Sequence, residues 1–265
     1  MKVLLAGAGG QVGRRLRALL EAEGHDVLAI TGKDLTGHNA AQGLAQGREL
    51  IVSCAGASVS TSAPDKRPYS QIDPAIHRNL IVDAKQSGIK RFVYLGVHTE
   101  PHYASCRYIL AHEAVRAMLV DGEMDFTVIR PTGIHSAFAD LLPYASKGFL
   151  PLVGDGHAKT NPIHPQDVAE IMLAHLKDGP KDVPCGGPDV MSRRQINEVV
   201  AQAAGKSKVF MPRIPAPLMR LEGKAIGLFH PRMGELLEFF SQVATEDCIA
   251  PKMGKRSMTS YFEGS

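Results

Sequence analysis

The chain has 265 residues, of which 22% are charged and 44% hydrophobic, and its formal net charge is +3. This length can hold one large domain, or a main domain with a smaller one, and the composition is that of an ordinary soluble globular protein. The thirty lysines and arginines form no polybasic block, which argues against nucleic acid or an anionic membrane as a partner. No apolar run approaches the length of a membrane span, and the first residues carry no targeting signal, so we predict a cytoplasmic protein.

The chain begins with a short apolar run, residues 1–6, that passes directly into a glycine-rich turn and then into a helical pattern. Gly7 allows the chain to reverse, Gly10 leaves room for a pyrophosphate, and Gly13 allows the helix to pack closely on the strand. The amino terminus of the helix adds backbone donors and positive potential for an anion. The pattern predicts a dinucleotide-binding turn, and the alternative is an ordinary turn in a globular domain.

Four further apolar runs have the length of buried strands: residues 27–30, 50–54, 92–95 and 126–129. Helical spacing occurs at 72–86 and 108–120, between strands, whereas the polar, glycine-interrupted stretch 31–49 does not predict a full strand. Strands that alternate with helices imply a mostly parallel sheet with right-handed crossovers. Together with the glycine turn, this predicts an α/β fold with a Rossmann-type doubly wound parallel sheet.

The strict alternation of strand and helix is lost after about Gly133. Ser192 and Gln195 form the sequence signature of a capping box at the start of a helix. We predict a smaller mixed α/β carboxy-terminal lobe that closes over the carboxyl ends of the strands, where ligands bind. The predicted division is a nucleotide-binding domain at 1–134, to which parts of 160–176 and 182–186 can return, and a substrate-side lobe at 135–265.

Tyr108 and His112 are one helical turn apart in the predicted helix 108–120, so both side chains lie on the same face. A phenol, with an ordinary pKa near ~10, is a poor acid–base group at neutral pH unless a nearby cation lowers that pKa. His112 could be that cation, or it could hold a ribose hydroxyl as a neutral donor and acceptor. The alternative is that both are ordinary packing or solvent-facing residues.

Six segments of the sequence form a recognisable series when their order and spacing are taken together. They are the glycines at 7, 10 and 13, residues 55–57, residues 88–94, the pair Tyr108 and His112, residues 125–133 and residues 161–169. This series resembles the short-chain dehydrogenase/reductase superfamily, in its atypical, NmrA-like branch near the extended epimerases and dehydratases. The resemblance covers residues 1 to about 205 and is weaker beyond.

The resemblance implies an NAD(P)-dependent oxidoreductase that acts on a carbonyl–alcohol pair of a small-molecule substrate, with Tyr108 as the acid–base residue. In that family a lysine four residues after the tyrosine binds the nicotinamide ribose and lowers the tyrosine pKa; here the position is His112. The family's serine, which orients the substrate carbonyl, falls where this chain has Gly96. Thr99 or Ser105 could replace it if the loop curls back.

Two other functions remain open. The missing serine and lysine favour an NmrA-like redox sensor that holds the dinucleotide and reports its state to a protein partner without turnover. Epimerisation or dehydration of a sugar nucleotide is the third interpretation, against which His112 argues because those enzymes depend more strictly on the tyrosine–lysine pair.

The resemblance also implies a set of cofactor contacts. These are Gly7, Gly10, Gln11, Val12 and Gly13 at the pyrophosphate, Ala55 and Gly56 along the adenosine, Gly96 at the end of its strand, and Pro131, Thr132 and Gly133 at the nicotinamide. Beyond Ile30, Lys33 favours NADP over NAD as the cofactor, since a carboxylate at that point would repel a 2′-phosphate. Arg14 could add a second cation.

Metal ligands are not predicted. His98, His102 and Cys106 recur at every fourth residue, but Pro101 breaks the helix that this spacing would need, and no fourth ligand is near. His164 could contact the substrate or cap the following helix. The methionines and phenylalanines of the carboxy-terminal region could line a substrate cleft, fill a core or form a homodimer face.

Overall fold

The computed structural model describes residues 1–31, 34–57, 59–60, 65–103 and 105–263. The strands are β1 (Lys2–Ala6), β2 (Asp26–Ile30), β3 (Leu50–Ser53), β4 (Arg91–Leu95), β5 (Asp125–Pro131), β6 (Leu152–Val153), β7 (Lys159–Thr160), β8 (Asp182–Cys185), β9 (Met191–Ser192) and β10 (Arg213–Ile214). The helices are α1 (Gln11–Ala22), α2 (Tyr69–Gln86), α3 (Arg107–Asp121), α4 (Leu142–Ser146), α5 (Pro165–Ala174), α6 (Arg193–Ala203), α7 (Ala216–Gly227), α8 (Pro231–Val243) and α9 (Met258–Glu263).

The central sheet has six parallel strands in the order β2-β1-β3-β4-β5-β8. Helices α1 and α5 cover one face of the sheet, and α2 and α3 cover the other. Strand β1 serves both layers because successive side chains point to opposite faces: Val3 and Leu5 join the α1 side, Leu4 and Ala6 the α2 side. This architecture confirms the α/β, Rossmann-type fold predicted from the sequence.

The connection from β2 to β3 contains bends and turns in its described part, residues 34–49, rather than a strand. The carboxylate of Asp83 on α2 accepts hydrogen bonds from the amides of Gly43 (2.6 Å) and Ala45 (2.7 Å). These bonds replace the ladder that a strand would have supplied to the backbone. Residues 34–49 therefore follow the carboxyl end of the edge strand β2 without adding a strand to the sheet.

Two elements from the carboxy-terminal half belong to the sheet layers. Strand β8 pairs with β5, and α5 packs against α1. Asp182 at the start of β8 binds Arg130 of β5 (2.6 Å) and Arg116 of α3 (2.8 Å). The carboxy-terminal half thus completes the parallel sheet as well as forming its own short pairs, β6 with β10 and β7 with β9.

The remaining carboxy-terminal helices pack on one another and on α3: α7 lies on α8, α8 on α3, and α6 on α4 and α9. The Ser192 side chain accepts from the Gln195 amide and the Gln195 side chain accepts from the Ser192 amide, so the predicted capping box at α6 is present. Helix α8 packs on α3 and forms a buried aromatic cluster with it. No helix in the described part of the chain is both long enough and apolar enough to cross a membrane.

Candidate functional site

The glycine turn between β1 and α1 is built so tightly that two of its glycines cannot carry a side chain. Gly7 has a φ of +78°, and a Cβ there would lie 2.5 Å from the Ala55 nitrogen. A Cβ on Gly13 would lie 2.1 Å from the Gly7 carbonyl oxygen. Around Gly10 the nearest atom to such a Cβ is 3.5 Å away, again the Gly7 oxygen, so this side of the turn is open. Gly7 therefore allows the chain to reverse, Gly13 allows the helix to pack closely, and Gly10 leaves one face of the turn open.

A cavity of about 200 Å³, which we call the turn cavity, opens at the carboxyl ends of β1 and β3. It is lined by Gly7, Gly10, Ile30, Leu35, Cys54, Ala55, Gly56 and Ile76. A second pocket of about 280 Å³ shares Leu35, Gly56 and Ile76 with it, so the two are continuous. Strand order reverses here, with β2 on one side of β1 and β3 on the other, which is where open α/β sheets bind nucleotides.

The amino terminus of α1 presents backbone rather than side chains to this region. The Arg14 amide is bonded to the Gly10 carbonyl, so the amides of Gln11, Val12 and Gly13 precede the first helical hydrogen bond. The Val12 side chain is buried in the core, and the Gln11 amide oxygen accepts from Arg15 (2.9 Å). A diphosphate can therefore be held here by helix amides, and this donor set fits one.

The prediction of a 2′-phosphate site depends on Lys33 and Arg14, of which the structure describes only Arg14. Lys33 lies outside the described residues, and Arg14 is exposed on the surface of α1. Asp34 binds Arg67 (3.1 Å) and accepts from the Thr36 hydroxyl (2.6 Å); the Thr36 bonds, and then Arg67, hold the pKa of Asp34 below its ordinary value. Arg67 also binds Asp65 and thereby lowers the pKa of that carboxyl to about 2. Arg67 was not expected from the sequence, because only the fold brings it beside Asp34.

Tyr108 and His112 share one face of α3, as their spacing predicts, but that face is buried. The Tyr108 ring packs between Tyr69 (5.0 Å between ring centroids) and Phe239 of α8 (4.6 Å). Burial raises the pKa of the Tyr108 phenol well above 10. Burial lowers the pKa of His112 to about 3, so its imidazole is uncharged at neutral pH. An uncharged His112 is not the cation that would lower the tyrosine pKa, so the neutral role and the alternative of ordinary packing are the two interpretations that agree with this burial.

Gly96 lies where the resemblance places a serine, and the structure leaves no room for one. A Cβ on Gly96 would lie 2.7 Å from the Val128 Cγ1 and 3.6 Å from the Tyr94 Cε1. Ser105 is exposed just before α3, and Thr99 is half-buried in the irregular segment after β4. The Val128 side chain of β5 is therefore what obstructs a side chain at this position.

The predicted nicotinamide-side residues lie at the end of β5, of which Pro131 is the last residue, and directly after it. The Thr132 hydroxyl donates to the Asn161 carbonyl (2.6 Å), the Pro131 carbonyl accepts from the His98 amide (2.8 Å), and a Cβ on Gly133 would meet the Phe138 ring at 3.1 Å. The Thr132 hydroxyl is thus engaged with the protein, and none of the three residues lines the turn cavity. The turn cavity brings together four other predicted contacts: Gly7, Gly10, Ala55 and Gly56.

Asp73 on α2 is a buried acid beside the turn cavity that sequence reasoning missed. Its carboxylate accepts from the Ala57 amide (3.3 Å), and its Oδ1 lies 2.4 Å from where a Gly56 Cβ would be. Burial raises the pKa of Asp73 to about 7. One signal was available: Asp73 and His77 are one turn apart on a helix face otherwise formed by Ile72, Ile76 and Leu80.

Two other sequence signals have structural roles. The His164 ring accepts from the Gln166 amide (3.0 Å) and so caps α5. His98 binds Glu100 (3.0 Å), and Pro101 begins a short 3₁₀ turn that interrupts the spacing to His102 and Cys106. Within the described ranges, no group of three or more histidine, cysteine, aspartate or glutamate side chains is arranged to hold a metal ion.

Comparison with known proteins gives one family and one curated relative. A family model described as NAD(P)H-binding matches residues 28–179. The curated relative is the mitochondrial NADH dehydrogenase [ubiquinone] 1 alpha subcomplex subunit 9 of Arabidopsis thaliana, 29% identical over 129 residues. The match covers 45% of this chain and 32% of that protein, so the chain spans about a third of the length of its relative.

Solved structures share the fold across most of the chain. A nucleoside-diphosphate-sugar epimerase of Staphylococcus aureus has a TM-score of 0.67 at 15% identity, over 99% of this chain and 100% of that one. UDP-glucose 4-epimerase of Thermotoga maritima also scores 0.67, at 14% identity over 81% and 86%. GDP-mannoheptose C4 reductase of Campylobacter jejuni, with NADP bound, scores 0.64 at 13% identity over 100% and 98%. At such identities the likeness concerns the fold alone.

Proposed function

Because the chain belongs to a family of NAD(P)H-binding proteins, we propose that it is an NAD(P)-dependent oxidoreductase acting on the carbonyl–alcohol pair of a small molecule. The observation that carries the proposal is the turn cavity. Its glycine face is open at Gly10 and closed by packing at Gly7 and Gly13, and it lies at the switch point of the parallel sheet. When bound, the nicotinamide would give or accept the hydride.

In this proposal Tyr108 handles the proton. A phenol whose pKa lies well above 10 stays protonated at neutral pH, so it is suited to donate a proton to the oxygen of a carbonyl that is being reduced. Donation leaves the tyrosinate, which is also the base that oxidation would need, so the proposed proton transfer serves the reaction in either direction. His112, uncharged, serves as a hydrogen-bonding group.

We further propose that NADP is preferred over NAD. The carboxylate of Asp34, which would repel a 2′-phosphate if it were free, is already bonded to Thr36 and Arg67. Lys33 precedes it in the sequence and supplies a cation to the same segment. We expect the Kd of NADPH to be at least about tenfold lower than that of NADH, and Lys33→Gln to reduce the difference. Equal affinities in the wild-type protein would contradict the preference.

The test of the oxidoreductase proposal separates binding from turnover. NADPH binding is measured by its fluorescence for the wild-type protein and Tyr108→Phe, and oxidation of bound NADPH is then followed with a panel of aldehydes and ketones. We expect Tyr108→Phe to leave the Kd within about twofold and to reduce turnover by about a hundredfold or more. Equal turnover in both proteins would remove Tyr108 from the mechanism.

A second candidate is a dinucleotide-binding sensor without turnover. The burial of the Tyr108 ring under Phe239, together with the closed space at Gly96, favours it. A relative named as a subunit of a larger complex is compatible with such a role. If NADPH binds but no compound of the panel oxidises it, this candidate replaces the first. Sugar-nucleotide epimerisation has the support of neighbouring structures with that name, but here the position of the family's lysine is an uncharged histidine.

A further inference from the structure

Tyr94 on β4 is a buried tyrosine for which the proposed reaction has no use. Its side chain is fully buried, and its hydroxyl oxygen lies 2.5 Å from the Nδ1 of His112. The rings of the two residues are stacked, with 5.9 Å between centroids. The other nitrogen of His112, Nε2, is buried and has no hydrogen-bond partner among the residues that the structure describes.

The chemistry of the two groups sets the direction of this hydrogen bond. Burial raises the pKa of Tyr94 well above 10 and lowers that of His112 to about 3, so the phenol is protonated and the imidazole neutral. If the phenol donates to Nδ1, the imidazole proton is on Nε2 and one buried donor is left unpaired. If Nδ1 donated instead, the phenol proton and the Nε2 lone pair would both need other partners. The first arrangement leaves fewer buried polar groups unpaired.

His77, a second buried histidine, has the opposite arrangement and serves as a reference. Its Nδ1 lies 2.7 Å from the Asp73 carbonyl oxygen, which can only accept. Its proton is therefore on Nδ1, and its Nε2 accepts from the Ser53 hydroxyl (2.9 Å). Both nitrogens of His77 are paired, whereas the Nε2 of His112 has no partner among the described residues.

Tyr94 lies beside Gly96, the position at which the resemblance places a serine. Residues 94 and 96 are two positions apart along extended backbone, so their side chains point to the same face of the sheet. The Tyr94 ring borders the space that a side chain at Gly96 would enter. The Tyr94 ring thus lies in ordinary contact with the position of Gly96, and its hydroxyl meets the histidine that stands at the lysine position.

We propose that Tyr94 is a positioning residue: its hydroxyl holds His112 as the uncharged Nε2–H tautomer, whose free donor binds an acceptor hydroxyl of the dinucleotide ribose. The second half of this proposal rests on the proposed function, whereas the tautomer does not. The neutral His112 would thus offer a hydrogen-bond donor, as the family's lysine does, but without a positive charge.

The tautomer is tested by nitrogen-15 NMR of the imidazole rings in the full chain. The His112 signals are identified by their loss in His112→Gln. We expect the Nε2–H pattern for His112 and the Nδ1–H pattern for His77. In Tyr94→Phe we expect His112 to become a mixture of tautomers, while His175, whose Nδ1 lies 2.8 Å from the Ile171 carbonyl oxygen, stays unchanged. An Nδ1–H or charged His112 in the wild type, or an unchanged His112 in Tyr94→Phe, overturns the proposal.

Binding of NADPH tests the use of the tautomer through a double-mutant cycle. Glutamine at 112 can place an amide N–H near the position of Nε2 without help from Tyr94. We expect Tyr94→Phe to raise the Kd of NADPH by about three- to tenfold in the wild-type background and by less than about twofold in His112→Gln. Equal effects in both backgrounds overturn the ribose contact.

The outcomes keep the two proposals distinguishable. If the wild type shows the Nε2–H tautomer but binds neither NADPH nor NADH, the proposed function fails and the role of Tyr94 toward His112 stands. If Tyr94→Phe does not fold, the wild-type spectrum still decides the tautomer. In that case NADPH added to the wild type is expected to shift the His112 Nε2 signal, and an unmoved signal overturns the contact.

Discussion

Three glycines of one turn differ in what a single methyl group would do to them. At Gly13 a Cβ collides with the backbone, at Gly10 it enters open space that the turn cavity uses, and at Gly9 its nearest neighbour is the Thr31 side chain at 3.7 Å. Alanine is therefore expected to affect stability at Gly13, ligand binding at Gly10 and neither property at Gly9.

The prediction compares alanine at these three positions. Gly13→Ala is expected to lower the free energy of unfolding by about 1–3 kcal/mol, because α1 must move off β1. Gly10→Ala is expected to unfold like the wild type but to raise the Kd of NADPH by about tenfold or more, because the methyl group occupies the diphosphate face. Gly9→Ala is the control for both. Urea unfolding and fluorescence titration provide the measurements, and a stable Gly13→Ala with normal binding would contradict the packing argument.

His112 also has a consequence for the pH dependence of the rate. An imidazole that controlled Tyr108 as a cation would produce an inflection near ~6 to 7. With a pKa of about 3, His112 stays neutral across this range, so we expect kcat/KM for carbonyl reduction to show no His112-dependent step there. An inflection that is present in the wild type and absent in His112→Gln would show that the imidazole titrates after all.

At the scale of secondary-structure elements, helix α8 covers Tyr108. Leu236 and Phe239 lie in the same buried cluster as Tyr69 and Tyr108, so the helix forms the roof over the phenol. Movement of this helix, or of the Phe239 side chain, is expected to uncover the Tyr108 ring. Phe240 belongs to the same cluster and is also half-buried, but its ring contact is with Phe239.

Removing the roof is expected to expose the phenol. Phe239→Ala should raise the rate of Tyr108 nitration by tetranitromethane several-fold over the wild type, because a ring in direct contact with Tyr108 is lost. Phe240→Ala is the matched control and should change the rate little. Exposed Tyr144 reports that the reagent is equally active in each sample. The same Tyr108 rate in both variants would show that α8 opens as a whole, independent of Phe239.

Three buried histidines make the stability of the whole molecule sensitive to acid. Burial lowers the pKa of His112 to about 3 and those of His77 and His135 to about 4, from 6.5. Because the folded pKa is depressed, their neutral forms contribute fully above pH ~6.5, and the contribution is lost as the pH falls toward the folded values. Asp73 acts in the other direction: its pKa is raised from 3.8 to about 7, so it takes up a proton in the folded state first.

We expect the free energy of unfolding to fall by about 2–3 kcal/mol per pH unit between about pH 6 and 5, since three histidines at ~1.4 kcal/mol each are opposed by one aspartate. The carboxylates paired with arginine add their loss only below about pH 4. His112→Gln should reduce the slope by about 1.4 kcal/mol per pH unit. Urea unfolding at several pH values measures it, and a slope that is the same in His112→Gln would contradict the buried neutral imidazole.

The order of the strands was not predicted, whereas the parallel sheet with its helices and the glycine turn could be predicted from the chain itself. Each depends on local information: apolar runs of strand length, helical spacing between them, and glycines at 7, 10 and 13. The helices predicted at 72–86 and 108–120 are present as Tyr69–Gln86 and Arg107–Asp121. The lack of a strand in the described part of the β2–β3 connection, residues 34–49, was also predictable, because glycines and polar residues interrupt any apolar run there.

The state of the catalytic candidates was decided by tertiary structure alone. Spacing places Tyr108 and His112 on one face of α3, but whether that face meets solvent depends on α8, more than a hundred residues later. Burial then determines the protonation of both side chains, and the partner of His112 is Tyr94 on a different element. Local pattern determines which elements form, because it reflects the chain's own periodicity; charge and access at the site come from desolvation by distant segments, which no local pattern contains.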